Sequence, residues 1–194
     1  RYQVLQQIGI GGMGAVYKAL DTRLGHMVAV KHMLVSPAPE RVEAFRREAQ
    51  LLARLRHPAL PVVTDHFAEP YGHFLVMQYI EGQDLSSLLL SGAGAFDVGL
   101  VLSWADRLLE ALSYLHDQRP PVIHRDIKPQ NLKLADGGQI MLLDFGLAKS
   151  APSSLAPEMS GVSVFGYTLQ YAPLEQIHGA GTDVRSDLYA LAAT

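Results

Sequence analysis

Asp126, Asn131 and Asp144 put two carboxylates and a carboxamide on one short stretch of chain, in the runs His124-Arg125-Asp126-Ile127-Lys128-Pro129-Gln130-Asn131 and Asp144-Phe145-Gly146. Moving a phosphoryl group needs a carboxylate to orient an incoming hydroxyl and accept its proton. It also needs hard oxygen ligands to hold a divalent cation against the phosphates. These three side chains supply both kinds of group, so the stretch reads as a loop for phosphoryl transfer. Upstream, Gly9, Gly11, Gly12 and Gly14 would let the backbone approach phosphate oxygens with no Cβ in the way. Lys31 closes the apolar run Val28-Ala29-Val30, and an ammonium buried there requires an acidic partner.

The elements that must position these groups follow from periodicity. Tyr2 to Ile8 alternates apolar and polar residues, and Ala15 to Leu20 resumes the alternation, so the glycines join two strands of a hairpin. A dinucleotide-binding fold uses similarly spaced glycines at a strand-to-helix turn, and the strand-like residues after Gly14 argue against it. Met27 to Leu34 is a third strand. Pro37, Pro39 and Glu40 mark the start of a helix running to about Arg56, with Val42, Phe45, Ala49, Leu52 and Leu55 at three- and four-residue steps. Val62 to Phe67 and His73 to Tyr79 complete a lobe of five strands and one helix.

Glu81-Gly82-Gln83 is the expected linker, which divides the chain into residues 1–80 and 81–194. Beyond it, Leu85 to Leu90 and Val98 to Gln118 read as helices, and two short strands flank the turn at Asp136-Gly137-Gly138. The stretch from Ser150 to Ser163, rich in Ser, Pro and Ala, reads as a mobile loop.

Bulk properties narrow the function classes. The 194 residues are 48% hydrophobic with a net charge of −3, which gives a sizeable core and no general attraction to nucleic acid or anionic membrane. Arg46, Arg47, Arg54 and Arg56 read as a solvated helix face. With no cysteine there is no disulfide or thiolate metal site, and the eight histidines do not fall at metal-ligand spacing. No apolar run reaches the length of a membrane span, the lack of cysteine fits a reducing compartment, and the expected location of this segment is the cytoplasm.

The Gly-rich run, the lysine strand, the catalytic run and Asp-Phe-Gly occur in the order of the protein kinase signature set. On those motifs the chain resembles the protein kinases, and the eukaryotic-like serine/threonine kinases of bacteria in particular. The resemblance implies a two-lobed α+β fold, with a small antiparallel sheet lobe and a mainly helical, incomplete second lobe. It implies transfer of the γ-phosphoryl group of ATP to Ser or Thr of protein substrates, in signalling and with autophosphorylation. Mg²⁺ is the implied cofactor, with Mn²⁺ as an alternative.

Carried onto this chain, Asp126 receives the hydroxyl proton and Lys128 neutralises charge on the transferred group. Lys31, paired with Glu48, holds the α- and β-phosphates, and Asn131 and Asp144 hold the metal. Ile8, Val16, Ala29 and Leu132 are the apolar faces for adenine, each of which would serve equally well as core. Met77 forms the back wall, Gln78-Tyr79-Ile80 the hinge, and Asp84 reaches the ribose. His124 packs beneath Phe145 rather than acting as a base, and Arg125 binds an activation-loop phosphate on Ser153, Ser154, Ser160, Ser163 or Thr168. Thr168 doubles as a residue bonding Asp126 and Lys128.

The family's Ala-Pro-Glu becomes Ala172-Pro173-Leu174-Glu175, which shifts the proline. Asp183 to Tyr189 resembles the start of the helix whose aspartate anchors the catalytic loop, and the family continues for several helices beyond it. The chain as given is therefore expected to expose apolar surface and to be poorly stable and weakly active or inactive. A nucleotide-binding pseudokinase and a small-molecule kinase on a related fold are the rival readings. Anchoring of a longer protein to a membrane, through a region outside this sequence, is a further expectation by analogy.

Overall fold

The computed structural model describes residues 1–11, 14–33, 39–92, 94–144, 170–178 and 181–194, with backbone alone at 11, 39–41, 44 and 48. These residues form two compact units. The first takes residues 1–56 and 61–80, and the second takes 57–60 with the described residues from 81 to 144 and from 170 to 194.

The first unit is an antiparallel sheet of β1 (Tyr2–Gly11), β2 (Gly14–Asp21), β3 (His26–Met33), β4 (Val63–Glu69) and β5 (Gly72–Gln78), in the order β1-β2-β3-β5-β4. Strand pairing puts Val30 opposite both Tyr17 and Val76, and Val28 opposite Ala19. One face therefore gathers Ala19, Val28, Val30 and Val76, with Tyr2, Phe67 and Phe74 packed against them. The rings of Tyr2, Phe67, Phe74 and His32 stack in sequence at 5.8, 4.9 and 4.6 Å. Arg1 fixes the sheet's edge, with Nη2 2.9 Å from the Asp21 carboxylate and Nη1 2.9 Å from that of Asp65.

On this unit α1 (Pro39–Leu52) buries Phe45, Ala49 and Leu52, and Phe45 meets the His73 ring at 4.9 Å. The helix ends earlier than its apolar spacing predicts. After Leu52 the amides of Arg54 and Leu55 reach back only three residues, to Leu51 and Leu52. The Arg56 guanidinium then donates to the carbonyls of Ala53 and Leu55, satisfying acceptors that would otherwise call for another turn.

In the second unit α3 (Val98–His116) starts at Asp97, whose side chain accepts from the Leu100 amide, and buries Trp104, Leu108, Ala111, Leu112 and Leu115. The helix is two residues shorter than expected, because Asp117 is already its C-cap. The expected linker is part of a strand: β6 (Gly82–Asp84) pairs with β7 (Leu132–Ala135), which pairs with β8 (Ile140–Leu142). Gly82 allows this pairing, since at φ 124° a Cβ would run into the Leu134 carbonyl oxygen. The short helix α2 (Leu85–Leu90) follows at once. Residues 57–60 join this unit because His57 stacks on Tyr114 at 5.4 Å and Ala59 accepts from the Leu142 amide at 2.8 Å. Near the end come α4 (Leu174–Ile177) and α5 (Val184–Ala192).

Candidate active site

In the second unit the functional loop is built around one buried carboxylate. Asp187, in the first turn of α5, has no exposed surface and receives three hydrogen bonds. Its Oδ2 accepts from the His124 amide at 2.8 Å, its Oδ1 from the Arg125 amide at 2.8 Å, and His116 Nε2 lies 2.9 Å from Oδ2. Arg125 has φ 66°, a left-handed conformation that costs a non-glycine residue free energy, and Asp187 grips the amide of that residue. The stretch expected to hold the anchoring aspartate, Asp183 to Tyr189, contains two, and their roles differ. Asp183 caps the helix, accepting from the Arg185 amide with Ser186 reciprocating, while Asp187 anchors the loop.

His124 is fully buried and serves as a brace. Its Nδ1 can only accept from the Asp126 amide at 3.3 Å, which leaves Nε2–H to donate to the Leu143 carbonyl at 3.0 Å. Burial pushes its pKa below the ordinary histidine value, against the pull of Asp187 and Asp126, so the ring is held neutral. The expectation that it packs rather than acts as a base agrees with this. Its expected neighbour Phe145 lies outside the described residues.

The loop brings the expected catalytic groups of this unit together. Asp126 Oδ2 is 3.1 Å from Lys128 Nζ and accepts from Asn131 Nδ2 at 3.0 Å, and the same amide nitrogen donates to the Asp126 carbonyl at 2.7 Å. A turn of 3-10 helix over Pro129–Asn131 sets Asn131 at that distance. Nδ2 is committed to Asp126, and Oδ1 is the acceptor atom of the same carboxamide. The Leu143 amide donates to the Asn131 carbonyl at 2.8 Å, which lays the chain entering Asp144 alongside, and Asp144 itself has φ 68°. Among the described residues no group of three His, Cys, Asp or Glu could hold a metal. A carboxamide oxygen and one carboxylate nevertheless fit Mg²⁺, a hard ion that takes few protein ligands and keeps its waters. Leu132 is 1% exposed on β7. Asp84 caps α2, accepting from the Ser87 amide at 2.8 Å and the Ser87 hydroxyl at 2.7 Å.

Several supports of this loop carried no signal in the sequence reading. His116 sits at the end of an apolar helix, and Gln176 Nε2 donates to the Arg125 carbonyl at 3.0 Å. Ser186 donates to Glu175 at 2.8 Å. Each joins residues far apart in sequence, and no local spacing announces such a pairing.

In the first unit strand register sorts the expected residues by face. Val16 lies opposite Lys31, and Lys31 opposite Leu75; Lys18 lies opposite Ala29, and Ala29 opposite Met77. Val16, Lys18, Ala29, Lys31 and Met77 therefore share the face away from the Val30 cluster. Lys31 is 9% exposed there. Gly9 pairs with Val16, and a shift in register between Gln7 and Gly9 leaves Ile8 as the extra residue of a bulge, 42% exposed. Gly14 has φ 136°, and a Cβ on it would strike the His32 carbonyl oxygen. In the hinge the Gln78 amide donates to the Val62 carbonyl at 2.8 Å, so that amide is committed within the sheet. Gly12, the Glu48 side chain, Gly146, Thr168 and the candidate phosphoacceptor serines lie outside the described residues.

Residues 2–194 match the protein kinase domain family, and the chain belongs to that family. A probable serine/threonine-protein kinase of Streptomyces coelicolor is 40% identical over 98% of this chain and 28% of its own length. Serine/threonine-protein kinase Pkn2 of Myxococcus xanthus is 39% identical over 98% of this chain and 23% of its own. PknA of Mycobacterium tuberculosis is 36% identical over 98% and 44%. The chain thus spans less than half the length of these curated relatives. The crystal structure of the Mycobacterium tuberculosis PknI kinase domain superimposes with a TM-score of 0.74 at 30% identity, over 98% of this chain and 71% of that one.

Proposed function

We propose that the protein transfers the γ-phosphoryl group of ATP to Ser or Thr hydroxyls of protein substrates. The observation that carries this reading is the Asp126 carboxylate, held between Lys128 Nζ and Asn131 Nδ2 on a loop whose backbone is pinned by Asp187. A carboxylate so placed orients a substrate hydroxyl and takes its proton, and the adjacent ammonium offsets negative charge growing on the transferred group. Family membership and the relatives' names support the protein substrate class. Lys128 supports Ser and Thr as acceptors.

In this reading the glycines at 9, 11, 12 and 14 cradle the phosphates, and Lys31, paired with Glu48, steadies them. Ile8, Val16, Ala29, Met77 and Leu132 enclose the adenine, the hinge from Gln78 to Ile80 hydrogen-bonds its edge, and Asp84 meets the ribose. Mg²⁺, or Mn²⁺ in its place, would neutralise phosphate charge, held by Asn131 Oδ1 and the Asp144 carboxylate. Arg125 receives a phosphate formed by autophosphorylation. No helix among the described residues is long and apolar enough to cross a membrane, and membrane anchoring of a longer protein is proposed by analogy alone.

Incubation with labelled ATP and Mg²⁺ tests the reading. Label should appear on protein Ser or Thr, and Asp126→Asn should lower transfer by on the order of 10²–10⁴ while sparing nucleotide binding. Label on a small hydroxylated compound would replace the substrate class. Nucleotide binding without any transfer, from a full-length protein containing this chain, would make it a pseudokinase.

A further inference from the structure

The nucleotide-facing side of the first unit carries a cation that the reaction does not use. Lys18 lies on β2 directly opposite Ala29, in the row that continues to Met77. Its ammonium sits 4.5 Å from the centroid of the Tyr79 ring, inside the range in which a cation is drawn to an aromatic face. Tyr79 is the middle residue of the hinge. The residues on either side of it are fixed in other ways: the Gln78 amide is bonded to the Val62 carbonyl at 2.8 Å, and Ile80 is 8% exposed. Lys18 reaches the Tyr79 side chain from β2, across the intervening strand β3.

From this geometry we infer that Lys18 is a positioning residue for nucleotide binding. Acting through the Tyr79 ring, it presets the hinge peptide groups that meet the purine edge. The inference rests on the nucleotide reading above. An element that presets a binding edge changes the free energy of nucleotide capture and leaves the phosphoryl step alone, because Asp126, Lys128 and Asn131 belong to a different network. The contact needs a cation and a π-face, and it has no need of the phenol hydroxyl.

Those requirements define the experiment. ATP affinity is measured by calorimetric titration on a full-length protein containing this chain, with KM and kcat measured on the same protein. Lys18→Met keeps the aliphatic stem and removes the charge, and it should weaken ATP binding and raise KM about two- to fivefold at unchanged kcat, as expected for loss of one half-buried cation–π contact. Lys18→Arg should retain the parent affinity, while Tyr79→Leu should match Lys18→Met, and the double variant Lys18→Met with Tyr79→Leu should be no weaker than either alone. Equal affinity in Lys18→Met and the parent chain overturns the inference and leaves the kinase reading intact, as do additive losses in the double variant. Failure of the parent chain to bind ATP strikes the nucleotide reading itself, and this inference with it.

Discussion

The two units hold their functional groups by opposite means. In the sheet, Val16, Lys18, Ala29, Lys31 and Met77 share a face because strand pairing leaves them no other, and the lattice of backbone hydrogen bonds spreads that constraint over every strand. In the second unit the catalytic loop departs from regular structure, with left-handed backbone at Arg125 and Asp144, and is held by hydrogen bonds converging on Asp187. Placement by register tolerates loss of a single side chain. Placement by a buried hub does not, since removing the hub leaves several polar groups without partners in the interior.

The contrast is most exposed at the hub itself. Asp187→Ala strips the acceptors from two backbone amides and from His116, and should cost on the order of 3–5 kcal/mol, the scale of breaking a buried charged pair. Urea unfolding followed by Trp104, the chain's single tryptophan and a residue of the second unit, measures this. A loss below about 1 kcal/mol would mean that the loop does not depend on Asp187.

Val30→Ala, at the centre of the apolar cluster in the sheet, should cost less, about 2 kcal/mol for the lost methyls and the cavity. It should also leave the register intact, so amide exchange in β2, β3 and β5 should quicken evenly rather than at one site. Exchange concentrated at one strand pair would contradict placement by the lattice.

The smallest expected effect is a difference in acid response. His124 is buried neutral with a lowered pKa, so the unfolded chain binds more protons than the folded one below about pH 6.5. Its contribution to stability is complete above that pH and is lost as the pH falls toward the depressed folded value. Burial alone would raise the Asp21 carboxyl in the sheet, but the Arg1 guanidinium and the amides of Arg23 and Leu24 outweigh burial and hold it below its ordinary 3.8. Its contribution is complete above that value and is lost only in stronger acid. Acidification from pH 7 to 5 should therefore loosen the region around His124 before the sheet, with Trp104 fluorescence changing ahead of exchange in β1 and β2. The reverse order would break the comparison.

Local pattern carried much of this architecture into view. Alternation marked β1 and β2, three- and four-residue spacing marked α1, and the motif runs marked the loop, because each is written in adjacent residues. The pattern failed where hydrogen bonds that periodicity does not encode decided the outcome. Apolar spacing extended α1 toward Arg56, and the Arg56 guanidinium on the carbonyls of Ala53 and Leu55 stopped it at Leu52. Polar residues around Gly82 suggested a linker, and pairing with β7 made a strand of it.

By itself the sequence determined which chemistry is available: the carboxylate at 126, the ammonium at 128, the oxygen donors at 131 and 144, and the glycines and lysine of the sheet. Only tertiary structure decided that Asp187 rather than Asp183 holds the loop, that His116 and Gln176 share the work, and that Lys18 reaches the hinge ring. The reason is physical. Residue type and spacing fix what a side chain can donate, accept or bury, but a hydrogen bond between positions such as 124 and 187 exists only after folding has brought them within 3 Å.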